Sequence, residues 1–236
     1  MKKKWLMLLL LCGGASLSAQ TILQQFAAVS AGAGTVSDMD LPQPTMQGSV
    51  LITMPLLLSP GVKVESVTDN APAGGNTYKQ VPSTVAACED KSLDIWYCEN
   101  CKADVTELKF HLSGHVKASL NSFLEVSNMA SSSVLDGTGA HLSNGTTTGA
   151  GLGAGPSITT TAKDFIIARY FATPPLPTGV TPAAWTYNTS YVYALNAPSG
   201  TYQPTLTGGK PASSFCMGIA AFKTGASVAA SKPGGD

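Results

Sequence analysis

The sequence predicts an all-β fold: an antiparallel β-sandwich, jelly-roll or Ig-like, of roughly ten to twelve strands. Three observations predict it. Residues 104–112 (DVTELKFHL) alternate strictly, with Thr106, Leu108, Phe110 and Leu112 on one face and Val105, Glu107, Lys109 and His111 on the other. That period of two fits a half-buried strand and does not fit a helix. Short β-branched and aromatic runs recur along the chain, separated by clusters of Gly, Pro, Asn, Asp and Ser, as turns separate strands. No long stretch carries the apolar period of an amphipathic helix.

The chain opens on Met1-Lys2-Lys3-Lys4, then the apolar run 5–11 (WLMLLLL), then small residues up to Ala19. These are the parts of a secretory signal peptide, cleaved after Ala19 to leave Gln20 as the new terminus. The expected location is therefore the periplasm or the cell exterior. The run is too short to cross a bilayer, and no later stretch is long and apolar enough to anchor the mature chain. Leu11 before Cys12 is bulky where a lipidation signal wants a small residue, which argues against acylation of Cys12.

Residues 20–224 have the length of a single large all-β domain, and 225–236 read as a flexible tail. The whole chain carries 14 basic and 14 acidic residues; without the three signal lysines the balance is 11 against 14, a net of −3. Arg169 is the only arginine. A nucleic-acid partner needs a concentrated basic face and is disfavoured. Four cysteines remain after the signal: Cys88, Cys98, Cys101 and Cys216. In an oxidising compartment all four are disulfide candidates. The expectation is that Cys88 pairs with Cys98 or Cys101, with the partner of Cys216 open.

Taken in order, residues 21–29 (TILQQFAAV), 35–41 and 49–58 read as strands, and Leu51-Ile52-Thr53-Met54 is apolar on both faces, as in a central strand. Residues 62–78 (VKVESVTDNAPAGGNTY) read as strand, Pro/Gly-rich turn and strand restart, a hairpin. Residues 92–97 (SLDIWY) follow. After the alternating strand comes 118–126, with Leu120, Leu124 and Val126 on one side. Residues 131–155 read as Gly/Ser/Thr-rich loop, 164–171 (DFIIARYF) as a doubly apolar strand, and 174–182 as a proline-rich loop. Strands at 191–195, 201–207 and 213–223 complete the set.

The order VTDNAPAGGNTY, DIWYCENCKADVTELKF and FLEVSNM resembles a β-sandwich module of bacterial secreted proteins, whose V-T-D-x-x-G-N-x-Y signature precedes an I-W-Y-A-like strand, a T-V-T-V-x-F strand and an E-x-S-G segment. SITTTAKD, SGTY and AAFK occur later in the matching order. The resemblance spans residues 21–223. Asn128 stands where glycine is usual, and Cys98 and Cys101 are additional. The resemblance implies an extracellular Ig-like or jelly-roll sandwich. It implies no settled activity and transfers no catalytic residue.

Several patterns bear on chemistry. Cys98-Glu99-Asn100-Cys101 has the spacing of a thioredoxin-type pair. Redox work needs a lowered thiolate pKa, usually from a following helix. Here a strand follows, so the pair reads as structural. His111 and His115 are four apart, which places metal ligands together on a helix but not at a strand end, and they and His141 read as surface residues. Asp69 and Asn70, with Asn76 nearby, are the weak candidate for Ca²⁺, the single cofactor considered. Calcium wants six or more oxygens, and an Asx-type turn accounts for the same residues. Glu125 lies opposite Leu124 and Val126 and has no evident carboxylate partner for catalysis. The glycine run 149–155 opens no helix and reads as loop. Trp185, Tyr187, Tyr191 and Tyr193 follow the proline loop and are the ligand-binding candidates, as an aromatic platform for stacking sugars or as rings filling the core.

The sequence thus points to an exported, non-catalytic β-sandwich module that binds or builds at or outside the cell surface. The expected partner is an extracellular polysaccharide or a surface protein. Rival readings are a carbohydrate-binding module using exposed aromatics, a secreted hydrolase with two converging carboxylates, and a subunit of a surface assembly marked by an unpaired edge strand.

Overall fold

The computed structural model describes residues 19–225. The expected signal segment 1–18, with Cys12, and the expected tail 226–236 lie outside the described residues.

The described chain is built from strands, in order β1 (Thr21–Asp40), β2 (Val50–Leu57), β3 (Val64–Asp69), β4 (Lys79–Gln80), β5 (Ala86–Cys88), β6 (Lys91–Leu93), β7 (Trp96–Cys98), β8 (Glu107–Ser127) and β9 (Ala140–Thr146). There follow β10 (Gly153–Ala154), β11 (Ile158–Thr160), β12 (Asp164–Ala172), β13 (Gly179–Thr181) and β14 (Thr186–Tyr187). The last are β15 (Tyr191–Ala197), β16 (Gly200–Tyr202), β17 (Thr205–Thr207) and β18 (Ser214–Lys223). All pair antiparallel. Many are pairings of two or three residues, so the longer strands carry the fold.

Two sheets form the sandwich. The first runs β1-β8-β2-β6-β5, with β3 on β8 and with β7 between β2 and β4; the second runs β14-β15-β12-β18-β9. The spine of the first sheet is β8, 21 residues long. Its first half holds β3 through Val67↔Phe110, its second half holds β2 through Ile52↔Leu124, and β1 accompanies both halves. The stretches read from sequence as two strands, 104–112 and 118–126, are therefore one. Likewise 21–29 and 35–41 are one strand, in which register shifts around Gly34 let β1 bend with β8.

Between the sheets, Ile52 and Leu124 pack against Phe165, Ile167 and Phe222, and the Tyr97 ring meets Phe222 edge-on at 5.4 Å. A second cluster, with Leu108, Phe110 and Phe123, lies on the opposite face of the first sheet. A third, with Ile166, Val192 and Ile219, lies on the outer face of the second sheet, where it meets Leu206 of the small sheet β10-β17-β13 and Ile158 of the β11-β16 pair. Burial on both faces explains why β2 and β12 read as continuous apolar runs. Each such Leu, Ile or Phe contributes about 1.5–3 kcal/mol. At Gly218 of β18 a Cβ would stand 2.5 Å from the Thr84 carbonyl oxygen, so only glycine lets the loop before β5 cross this strand.

Two expectations fail. Residues 62–78 do not form a hairpin: β3 pairs with β8, whereas β4 pairs with β7. The turn closes on its own side chains, and the restarting strand is delivered elsewhere. Residues 131–155 are not all loop, because they contain β9 on the edge of β18 and β10 on β17. The half-exposed face of β9 has no apolar alternation to betray it.

Candidate functional site

The four aromatic candidates do not make an exposed platform. Trp185 is only 5% exposed and lies in the cluster outside the second sheet, and Tyr191 is 2% exposed and lies between the sheets. Tyr191 and Tyr193 sit two apart on β15 and so share a face, but their rings are tilted by 34° at 6.3 Å. Tyr193 is half-buried against Phe165, and Tyr187 stacks on Tyr170 at 6.4 Å while its hydroxyl donates to the Pro177 carbonyl. These rings fill and cover cores: β15, which bears Tyr191 and Tyr193, has β14 and β12 on either side and a packed core on each face.

The Asp69 carboxylate is fully used by its own turn. One oxygen accepts from the backbone N–H of Ala71 and Asn76, each at 3.0 Å; the other accepts from Asn76 Nδ2 at 2.7 Å and the Tyr78 hydroxyl at 2.8 Å. Burial, reinforced by Asp69, pushes the Tyr78 hydroxyl well above its ordinary pKa. Asn70 Oδ1 accepts from Thr106 and Glu107 N–H, tying the turn to the start of β8. Gly75 closes the turn at φ +74°, and a Cβ added there would stand 3.2 Å from the Asp69 carbonyl oxygen and Oδ1, tighter than an ordinary contact. This is an Asx-type turn whose oxygens are already occupied.

The cysteines pair differently from the expectation. Cys88 bonds Cys216, and Cys98 bonds Cys101. Cys88 on β5 lies across from β18, with Cα atoms 5.5 Å apart, so the bond ties the first sheet to the second. Asn100 adopts a positive φ of 50°, turning the chain so that Cys101 reaches Cys98. Both members of that second pair are buried. Among the described residues no group of three or more His, Cys, Asp or Glu could hold a metal ion. His111 Nε2 hydrogen bonds the Thr68 hydroxyl at 2.9 Å, His141 Nδ1 bonds the Ser83 carbonyl at 3.0 Å, and His115 also has a partner.

Glu125 is buried and accepts from Met46 N–H, Ser49 Oγ and Gln24 Nε2, at 2.6, 2.8 and 2.8 Å. It holds the loop before β2 and the strand β1 together. Asp94 does similar work, accepting from Ile95 N–H, Thr84 Oγ1 and Trp96 Nε1 at 2.8, 3.0 and 2.9 Å. Burial raises its pKa. It borders a cleft of about 360 Å³ between β3 and β6.

Two sites were not singled out from sequence. The first is a pair of buried carboxyls. Asp136 accepts from Thr161 N–H at 2.7 Å and from Thr161 Oγ1 at 2.8 Å, and Lys223 Nζ stands 3.9 Å from it. Asp164, wholly buried, receives no N–H or O–H donor at either oxygen and meets Asp136 carboxyl to carboxyl. Burial and then Asp136 push Asp164 up to about 7. Asp136 is held below its ordinary value: burial acts to raise it but is outweighed by the Thr161 donors and Asp164. Each carboxyl shifts the other's titration and both are buried, whereas glycoside hydrolysis uses a pair that flanks a substrate in an open cleft.

The second is a pocket of about 310 Å³ between β2 and β8 of one sheet and β12 of the other. Leu56, Leu120, Phe171, Pro174 and Leu176 line it together with Arg169. Arg169 is 1% exposed. Its Nη1 donates to the Ser190 carbonyl at 2.7 Å and Nη2 to the Leu120 carbonyl at 3.2 Å, while Nε has no partner. Among the described residues no carboxylate forms an ion pair with it. Burial pulls its pKa down to about 10. The sequence signal was present: the single arginine of the chain stands inside the apolar run DFIIARYF.

No family model and no curated protein matches this chain. Among the described residues no helix is long and apolar enough to cross a membrane.

Proposed function

We propose that the chain is an exported, non-catalytic β-sandwich module that binds a ligand or partner at or outside the cell surface. The observation that carries this reading is the apolar pocket between the two sheets with a buried, unpaired guanidinium in its wall. A concave apolar site with a few convergent polar groups is the usual form of a ligand pocket. The disulfide between Cys88 and Cys216 supports maturation in an oxidising compartment. The candidate catalytic groups named from sequence serve structure, as Glu125 does.

The test has two arms. Mass spectrometry of protein recovered from the producing cell should find it exported, cut after Ala19 and disulfide-bonded. A thermal-shift screen of that protein against extracellular polysaccharides, surface proteins and small organic acids should raise the melting temperature in a saturable way. Cytoplasmic protein with free thiols, or turnover of a screened compound, contradicts the proposal.

A second reading, a subunit of a surface assembly, is favoured by β1. It forms the edge of the first sheet and exposes Leu23, Val29 and Val36 at 38%, 68% and 44%. Edges usually carry Lys or Pro against unwanted pairing, and β1 has neither. Light scattering of the purified protein that detects only monomer at every concentration rules this out.

A further inference from the structure

We propose that the pocket around Arg169 binds a small amphipathic monocarboxylate, its carboxylate against the guanidinium and its apolar body along Leu56, Leu120, Phe171 and Leu176. This rests on reading the chain as a binding module and adds the chemical class of the ligand.

The unmet charge sets the anionic end. A buried cation is costly unless an anion or a full set of acceptors meets it. Arg169 has two carbonyls at its Nη atoms, an unpartnered Nε and no carboxylate partner. The wall in which it lies borders open space. A guanidinium offers a planar fork of donors that suits a carboxylate.

The walls set the rest of the ligand. Apart from Arg169 they are formed by side chains of Leu, Phe, Ala and Pro, with Tyr170, Thr189 and Ser190 as the polar members. A bare inorganic anion would leave that apolar surface uncovered, and a polyanion would bring charges that no second lining cation meets, since Lys91, over the Phe171 ring at 5.0 Å, is paired with Asp90. Leu176, 43% exposed, stands at the pocket although it is a large apolar side chain in a loop. It gains a role as the edge that an aliphatic body covers. A volume of about 310 Å³ is at the small end for ligand sites, which suits a medium-chain acid and not a long lipid.

The probe is octanoate, titrated into the full mature protein by calorimetry, with octan-1-ol and inorganic phosphate as parallel probes. Saturable octanoate binding is expected, at least tenfold tighter than octan-1-ol, with no heat from phosphate. Arg169→Met should weaken octanoate binding at least tenfold and leave octan-1-ol binding within about twofold. Leu176→Glu sets a fixed anion beside the pocket at an exposed position, so the fold is retained, and it should also weaken octanoate at least tenfold. Equal binding of octanoate and octan-1-ol overturns the carboxylate. Phosphate binding that matches octanoate overturns the apolar body. Octanoate binding unchanged in Leu176→Glu overturns the location. If octanoate fails while the screen above finds another ligand, the ligand class is wrong and the binding-module reading stands; if both fail, both fall.

Discussion

Asp164 and Asp136 face each other carboxyl to carboxyl, and only Asp136 is supplied with donors by the surrounding chain. Raised to about 7 by burial and by Asp136, Asp164 is the member of the pair that keeps its proton below neutral pH, beside the Asp136 carboxylate. Asp136 N–H donates in turn to the Ala221 carbonyl and Leu135 bridges Phe222, which fastens residues 134–136 to the end of β18, while the carboxyl pair links the same segment to the start of β12.

This relationship predicts a pH dependence. Asp164 titrates near 7 when folded, against an ordinary value of 3.8. Between those limits the folded chain binds more protons than the unfolded one, so stability falls as pH rises, by up to about 1.4 kcal/mol per pH unit, and levels off above 7. Asp136 acts in the opposite sense only below its ordinary value, outside this window. Denaturation midpoints from pH 4 to 8 should show the fall, and Asp164→Asn should reduce it, leaving the part that Asp94, also raised by burial, contributes. An equal slope in both proteins contradicts a raised Asp164.

Asp69 is predicted to be worth more than a surface aspartate. Replacing it by alanine removes four hydrogen bonds and leaves the Tyr78 hydroxyl, nine-tenths buried with its residue, without its acceptor. The expected loss is about 2–4 kcal/mol. Adding Ca²⁺ or a chelator should leave the melting temperature of the wild-type protein unchanged, since no lone pair of Asp69 is open. A calcium-dependent rise that vanishes in the Asp69→Ala variant contradicts this account.

The two disulfides should differ greatly in effect. Cys88 and Cys216 are separated by 128 positions, and Cys98 and Cys101 by 3. On loop-closure entropy the first stabilises by about 5 kcal/mol and the second by about 2 kcal/mol. Urea denaturation of the paired Cys→Ala variants measures both. A larger loss from the short loop than from the long one reverses the prediction.

Much of the fold was legible because it is written locally. The alternation of Leu108, Phe110 and Leu112 reports one buried face, and the unbroken Leu51–Met54 run reports two. What sequence hid is what only the assembled sheets bring together. Cys88 meets Cys216, and Asp136 meets Asp164, across stretches that carry no mark of their partners. The hairpin reading of residues 62–78 failed because turn chemistry names the turn and not the neighbour of the strand that follows. The ring cluster misled for a related reason: Trp185 and Tyr191 are close in sequence but belong to cores on opposite faces of one sheet. Arg169 was visible as a lone cation in an apolar strand, but the absence of a counter-charge is a property of the packed interior.

In the proposed ligand site Arg169 serves a ligand and not the fold. Its removal deprives the Ser190 and Leu120 carbonyls of one donor each; the Tyr170 N–H still reaches the Ser190 oxygen at 3.3 Å, and the bond lost at Leu120 is the longer of the two, at 3.2 Å. It also relieves the interior of an unpaired charge. Denaturant unfolding of Arg169→Met without added ligand is the most direct measurement. The account predicts stability equal to or above that of the wild type. A loss of more than about 2 kcal/mol would mean that the guanidinium is a structural tie between Ser190 and Leu120, and would contradict it.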